Sequence, residues 1–229
     1  MSLGQERGDL GFGIEAARSV AAEALGDLNE ARSRTAAVAE IMRRQRQLNY
    51  FERATVLSGL ERRLGNRERA DALYSEVVAE MDTPRPIGPN VTLHIHIAFE
   101  AIVRNDVDVI ARCREMLAPY EGITGITMAD LRTSITVGRV LGILAAANKQ
   151  WDEAIAYLER ATAFCQEKGM PVELAHCRMA LADALNGRNG TGDHQKAVVL
   201  LDQALAEYQR LGMPLYVQEV LSRKEILKA

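Results

Sequence analysis

Aromatic side chains are scarce in this chain: four Phe, six Tyr and one Trp amount to 5% of 229 residues. A core built mainly on stacked rings is therefore excluded. Cysteine is scarcer still. Cys113, Cys165 and Cys177 are odd in number and few, which rules out a disulfide framework and is read as a reducing, cytoplasmic setting. No CxxC, HExxH or spaced quartet of ligands occurs, so no metal is expected. No charge dominates: the net charge is −3 and the isoelectric point is near 5.9, giving no general pull toward nucleic acid or anionic membrane. No apolar run is long. The longest, Val140 to Ala147, has eight residues including Gly142, against the roughly 20 that a membrane span needs. The first 20 residues carry Glu6, Arg7, Asp9, Glu15 and Arg18 and lack the apolar stretch of a secretory signal. Residues 1–12 are read as a disordered or cloning-derived leader.

What the chain does have is 48% hydrophobic residues, rich in Ala and Leu, enough to bury a sizeable core. It also repeats itself. Ala154, Leu158, Ala161, Ala163, Gln166, Gly169, Met170 and Pro171 recur 43 residues later as Ala197, Leu201, Ala204, Ala206, Gln209, Gly212, Met213 and Pro214. Eight identities held without a gap mark an internal structural repeat.

Helical periodicity predicts eleven helices, over 12–25, 28–46, 48–64, 67–82, 90–104, 106–118, 128–148, 151–168, 171–186, 194–211 and 214–227. All six prolines, Pro84, Pro86, Pro89, Pro119, Pro171 and Pro214, fall between these patterns, as their helix-breaking geometry requires. The alternating segment Val91 to Ile97 continues into Ala98-Phe99-Glu100-Ala101, which favours helix over strand. Asp27, Asn66 and Asp193 are expected caps, and Thr127 with Asp130 and Asn105 with Asp108 have capping-box spacing.

The repeat resembles the packing frame of tetratricopeptide repeats, and that resemblance implies that a small residue on one helix meets a small residue on the next, with further large and small positions four and seven residues on. Gly142, Ala154, Leu158 and Ala161 fit it. So do Ser58, Ala70, Tyr74 and Val77. Ala31, Thr35 and Val38 fit loosely, Ala98 with Ile110 gives a degenerate pair, and Ala182 with Ala197 carries about three extra residues in its turn. The anchors 31, 70, 110, 154 and 197 step by 39, 40, 44 and 43.

These residues resemble a tetratricopeptide-like (TPR-like) family: the helical region that follows the nucleotide-binding domain in large bacterial signalling ATPases, often linked to LuxR-type DNA-binding or nucleotide-cyclase domains. Leu144-Ala-Ala-Ala-Asn-Lys-Gln-Trp-Asp-Glu-Ala154 resembles the family's LAAALGRWDEA. The segment from Leu181 to Asp193 resembles LARLLLARGGPGD, and Met116-Leu-Ala-Pro-Tyr120 resembles LLLPYAG. The likeness is good over 106–215 and weak over 1–90. It implies an all-α fold, a right-handed α-solenoid of about five helix pairs closed by the helix 214–227, with the best repeats over 90–214 and one domain over 1–229.

For function, the resemblance implies a non-catalytic arm that binds a protein, peptide or small effector and biases a linked ATPase, cyclase or DNA-binding domain. The first helix of each pair lines the concave surface of such a stack, which makes Arg62, Phe99, Arg139, His176 and Asp183 the candidate groove residues. A second candidate surface is basic. Residues 41–69 hold eight arginines against three glutamates, and Arg43, Arg44, Arg46, Arg53 and Arg63 form a possible docking face for an acidic partner or, alternatively, a solvated surface. Direct nucleic-acid or membrane binding is not expected, and a homo-oligomer is left open. No cofactor and no catalytic residue are expected. Gly187, Gly190 and Gly192 lack the strand, lysine and hydroxyl of a phosphate loop and read as a turn. His94 and His96 lie two apart, about 200° around a helix, too divergent to share an ion unaided. Cys165 with His176 lacks an orienting group and an oxyanion site. Alternatives are a stand-alone adaptor or chaperone-like assembly protein and, more remotely, an enzyme whose site is not recognisable in sequence.

Overall fold

The computed structural model describes residues 15, 17–44, 50–81, 83, 91–126 and 134–228. The chain is all-α in class. A first helical stretch over residues 17–24 (α1) is followed by α2 (Leu28–Arg44), α3 (Tyr50–Arg63), α4 (Arg67–Ala79), α5 (Val91–Arg104), α6 (Val107–Leu117), α7 (Val137–Ala147), α8 (Trp151–Glu167), α9 (Pro171–Arg188), α10 (Asp193–Arg210) and α11 (Pro214–Lys228). The described residues gather into two compact units, one of those up to Met116 together with Ile126 and one of 117–125 with 134–228.

Most helix boundaries agree with periodicity, and Val91–Ile97 is helical as expected. One expectation is corrected. The helix predicted over 128–148 begins only at Val137, and a two-stranded ribbon, β1 (Thr124–Ile126) with β2 (Ser134–Thr136), precedes it. The β-branched Thr136 runs extended (φ −76°, ψ 130°) and is tied to Glu173 by its backbone N–H, a tertiary bond that periodicity does not register. Pro119 sits in a 3₁₀ turn, Ala118–Tyr120. The leader 1–12, the prolines at 84, 86 and 89, and the Thr127/Asp130 box lie outside the described residues.

One turn recurs through both units. Gly26, Gly65, Asn105, Lys149, Gly169 and Gly212 each have φ between 53° and 87°. Their N–H groups donate to the carbonyls of Glu23, Arg62, Ile102, Ala146, Gln166 and Gln209, three residues back. The next N–H donates five residues back: Asp27 to Ala22, Asn66 to Glu61, Asp106 to Ala101, Gln150 to Ala145, Met170 to Cys165 and Met213 to Tyr208. This is the Schellman stop. The residue after each left-handed position opens the next helix, so two residues reverse the chain. Asp27 accepts the Glu30 N–H at 3.0 Å and Asp106 accepts the Val109 N–H at 3.2 Å. Asn105 is therefore the stop and Asp106 the cap, one residue later than the Asn105/Asp108 reading. Asn66 caps nothing through its side chain, which donates instead to Glu61.

Because the turn is fixed, so is the register. The positions seven before and five after the left-handed residue are Ser19 and Ala31, Ser58 and Ala70, Ala98 and Ile110, and Gly142 and Ala154, all of them buried. The turn between α9 and α10 is longer and has two left-handed residues, Asn189 and Gly192. Counting back seven from Asn189 gives Ala182, and forward five from Gly192 gives Ala197. The three inserted residues leave the register intact.

The expected anchors Ala31, Ala70, Ile110, Ala154 and Ala197 are all buried. In the first unit Ser19 Oγ donates to the Ala31 carbonyl at 3.0 Å and Ser58 Oγ donates to the Ala70 carbonyl at 2.8 Å. Here α3 packs on α2, α4 and α5. In the second unit a Cβ on Gly142 would lie 2.5 Å from Leu158 Cγ and 3.2 Å from the Ala154 carbonyl oxygen, so only glycine lets α7 and α8 approach this closely. Consecutive helices pack on one another from α7 to α11, and α7 also touches α9. Their shared core includes Ala145, Leu158, Ala182, Leu185, Leu201, Tyr208 and Val220.

Candidate binding surfaces

In the second unit, α7 and α9 bring together a buried polar network. Glu173 Oε1 accepts three hydrogen bonds, from the Thr136 N–H at 2.7 Å, the Thr136 hydroxyl at 2.9 Å and Arg139 Nε at 2.8 Å. Glu173 is 4% exposed and the Arg139 side chain 10%, so this ion pair is largely withdrawn from water. Burial alone would lower the Arg139 pKa, but the Glu173 carboxylate more than offsets it and holds the guanidinium charged.

One turn along α9, His176 shares a 2.6 Å hydrogen bond between Nδ1 and the Tyr208 hydroxyl. Its ring meets Tyr216 edge-on at 4.8 Å, and Tyr216 stacks on Tyr208 at 5.1 Å. Burial, reinforced by the Arg139 charge, pulls the His176 pKa down to about 3, so the imidazole is neutral at physiological pH. Burial likewise raises the Tyr208 pKa, which keeps its hydroxyl protonated. Asp183, further along α9, is exposed and ion-paired to Arg223 of α11 at 3.0 Å. Of the groove candidates in this unit, His176 and Asp183 thus face partners on α10 and α11, while Arg139 is committed to Glu173.

In the first unit, Arg62 lies over Glu100 of α5, with Nη2 3.4 Å from Oε1. Glu100 is buried, and its carboxylate sits where a Cβ on Gly59 would be, 2.7 Å away. Arg104 stacks on the Tyr74 ring at 4.5 Å, and the Tyr74 hydroxyl donates to Asp106 at 3.0 Å. Phe99 is half-buried on α5. The basic stretch is threaded with acidic partners. Arg43 and Arg44 both bond Glu40, Arg63 pairs with Glu23, and Arg69 lies 3.1 Å from the buried Glu61. Arg53 is 2% exposed, so it is not part of an exposed docking face. Arg46 lies outside the described residues.

The glycine-rich segment is a closed turn with its own anion. Asp193 takes both Arg188 Nε and Nη2 at 2.8 Å, and its Oδ2 also accepts the Gly190 N–H at 2.8 Å. The Arg188 bonds hold the Asp193 carboxyl down at about 2. Gly187 belongs to α9, where a Cβ would come within 2.5 Å of the Trp151 ring. His94 is buried and His96 half-buried on α5. Cys165 lies against Cys177, at 3.8 Å between sulfurs, while His176 engages Tyr208. Among the described residues no group of three or more His, Cys, Asp or Glu could hold a metal ion, and no helix is long and apolar enough to cross a membrane.

Sequence reasoning missed Glu173, Thr136, Glu100, Tyr208 and Tyr216. Glu173 carries a weak signal, since it falls within the first turn after the repeated Gly-Met-Pro, on a first helix of the frame. No protein-family model matches the chain, and no curated protein matches it.

Proposed function

We propose that this chain is a non-catalytic interaction scaffold, a right-handed TPR-like stack serving as the effector-sensing arm of a bacterial signalling or transcription regulator. The observation that carries this reading is the register shared by five helix pairs, seven residues before the turn and five after it. A single supersecondary unit reused in this way is the hallmark of repeat scaffolds, whose successive first helices build a continuous ligand-facing surface. Half-buried and exposed side chains on first helices, the charged Arg62 and aromatic Phe99 in one unit and His176 and Asp183 in the other, suit a peptide or small-effector surface. Regulation then requires the ligand to bind two states of the parent protein with different affinity.

The test reads the gene on both sides of this segment. Where it encodes a nucleotide-binding domain, ATP turnover of the whole protein is measured with Arg62→Glu and with Asp183→Arg. Turnover or its effector response changed by either variant, with folding intact, supports the arm. A reading frame with no further domain removes the regulator reading and leaves a stand-alone adaptor.

A further inference from the structure

Two of the three cysteines are neighbours, and nothing in the scaffold reading uses them. Cys165 near the end of α8 and Cys177 in α9 place their sulfurs 3.8 Å apart, both wholly buried. Cys113, the third, is buried on α6. The pair belongs to a small apolar cluster with Ala161, roofed by the partly exposed Phe164, Met170 and Leu174. Those three side chains flank or belong to the Gly169-Met170-Pro171 joint that links the two helices, and they stand partly open to solvent. Polar groups reach Cys177 from the other side. The Thr136 hydroxyl lies 3.8 Å from its sulfur, and Arg139 and Glu173 supply the nearest charges. The two thiols lie at van der Waals distance on helices already packed together, within reach of an S–S bond of about 2.05 Å once the side chains turn toward each other.

We infer that Cys165 and Cys177 form a reversible dithiol–disulfide modification site, oxidised by a small peroxide, that fastens α8 to α9. The hydrogen bond from Cys177 favours the Cys165 thiolate and correspondingly disfavours ionisation of Cys177, which makes Cys165 the attacking sulfur. The Cys165 thiolate attacks one peroxide oxygen, the O–O bond breaks, and the departing hydroxide takes up a proton as water. The Cys177 sulfur then attacks the resulting sulfenic acid, the S–S bond forms, and the second oxygen leaves as water with the remaining thiol proton. The two thiols give up two electrons and the peroxide accepts them. A thiol reductant reverses the bond. The cross-link closes a loop of about a dozen residues and, by removing conformations from the unfolded chain, steadies the joint.

The experiment exposes the full chain to hydrogen peroxide, followed by intact-mass measurement and peptide mapping. The expected result is loss of two hydrogens, a peptide linking Cys165 to Cys177, and an upward shift of the thermal midpoint that dithiothreitol reverses. Cys113→Ala retains the cross-link; Cys165→Ala and Cys177→Ala each lose it. Oxygen added independently to separate cysteines, or all three thiols still alkylatable after unfolding, would overturn the inference. The wild-type peptide map alone decides the matter if an alanine variant does not fold.

Discussion

The two units use the same helix-pair register with different chemistry at the crossing point. In two pairs of the first unit the small residue is a serine, and Ser19 and Ser58 each donate a hydrogen bond to the anchor carbonyl across the pair. In the first pair of the second unit it is Gly142, which brings backbone against side chain. The buried carboxylates differ in the same sense. Glu100 has two cations, Arg62 and Arg104, with side chains 29% and 16% exposed. Glu173 has one, Arg139, at 10%. The first unit therefore sets its buried carboxylate under arginines that still touch water, and the second combines close packing with an ion pair largely withdrawn from it. The same backbone register admits both solutions.

Substitutions can break or sharpen that contrast. Glu173→Ala strands a buried guanidinium and two Thr136 donors, so a loss of about 3–5 kcal/mol is expected in denaturant unfolding. Glu100→Ala leaves arginines that can turn to solvent, and should cost less, about 1–3 kcal/mol. Equal losses would erase the distinction. Next in size, Gly142→Ala forces a Cβ against Leu158 and the Ala154 carbonyl, for about 1–3 kcal/mol, whereas Ser58→Ala removes the buried hydrogen bond to the Ala70 carbonyl and the one accepted from Arg104, for about 1–2 kcal/mol.

A pH series isolates His176. Its folded-state pKa of about 3 lies below the ordinary histidine value near 6.5. Its contribution is thus complete above about pH 6.5, where both states are neutral. As pH falls further, only the unfolded chain gains the proton, and stability declines until about pH 3. Thermal midpoints of His176→Gln should fall less steeply across that window than those of the wild type, whatever their absolute level. The smallest effect is expected at Lys149, a left-handed residue with a Cβ. Lys149→Gly should stabilise by about 0.5–1 kcal/mol, measured as a rise in unfolding midpoint.

Much of the fold is legible in the sequence because its determinants are local. Gly26, Gly65, Gly169 and Gly212 announce the left-handed stops, Pro171 and Pro214 the following starts, and the alanine anchors the register. Asn105 and Lys149 are harder to see, since a side chain disfavours the left-handed conformation, less for asparagine than for lysine, and neither residue announces it as glycine does. The late start of α7 was illegible for the same kind of reason. Thr136 is held extended by Glu173, 37 residues away in sequence. The candidate surfaces follow this pattern. Arg62, His176 and Asp183 could be placed on first helices by counting, but the partners that define them, Glu100, Tyr208 and Arg223, lie 38, 32 and 40 residues off. Periodicity is silent at that range. It also could not separate Arg53, sunk in the interior, from the exposed arginines around it.

The paired left-handed residues at 189 and 192 act as a splice. One ends a helix, the other begins the next, and the chain between them is surplus to the crossing. At the two-residue reversals, by contrast, adding or deleting one residue would rotate the following helix by about 100° and turn its anchor out of the core. The stretch from Gly190 to Gly192 is thus the natural port for inserting an epitope, a fluorophore site or a foreign loop, at the expense of the Gly190–Asp193 bonds but not of the anchors on either side.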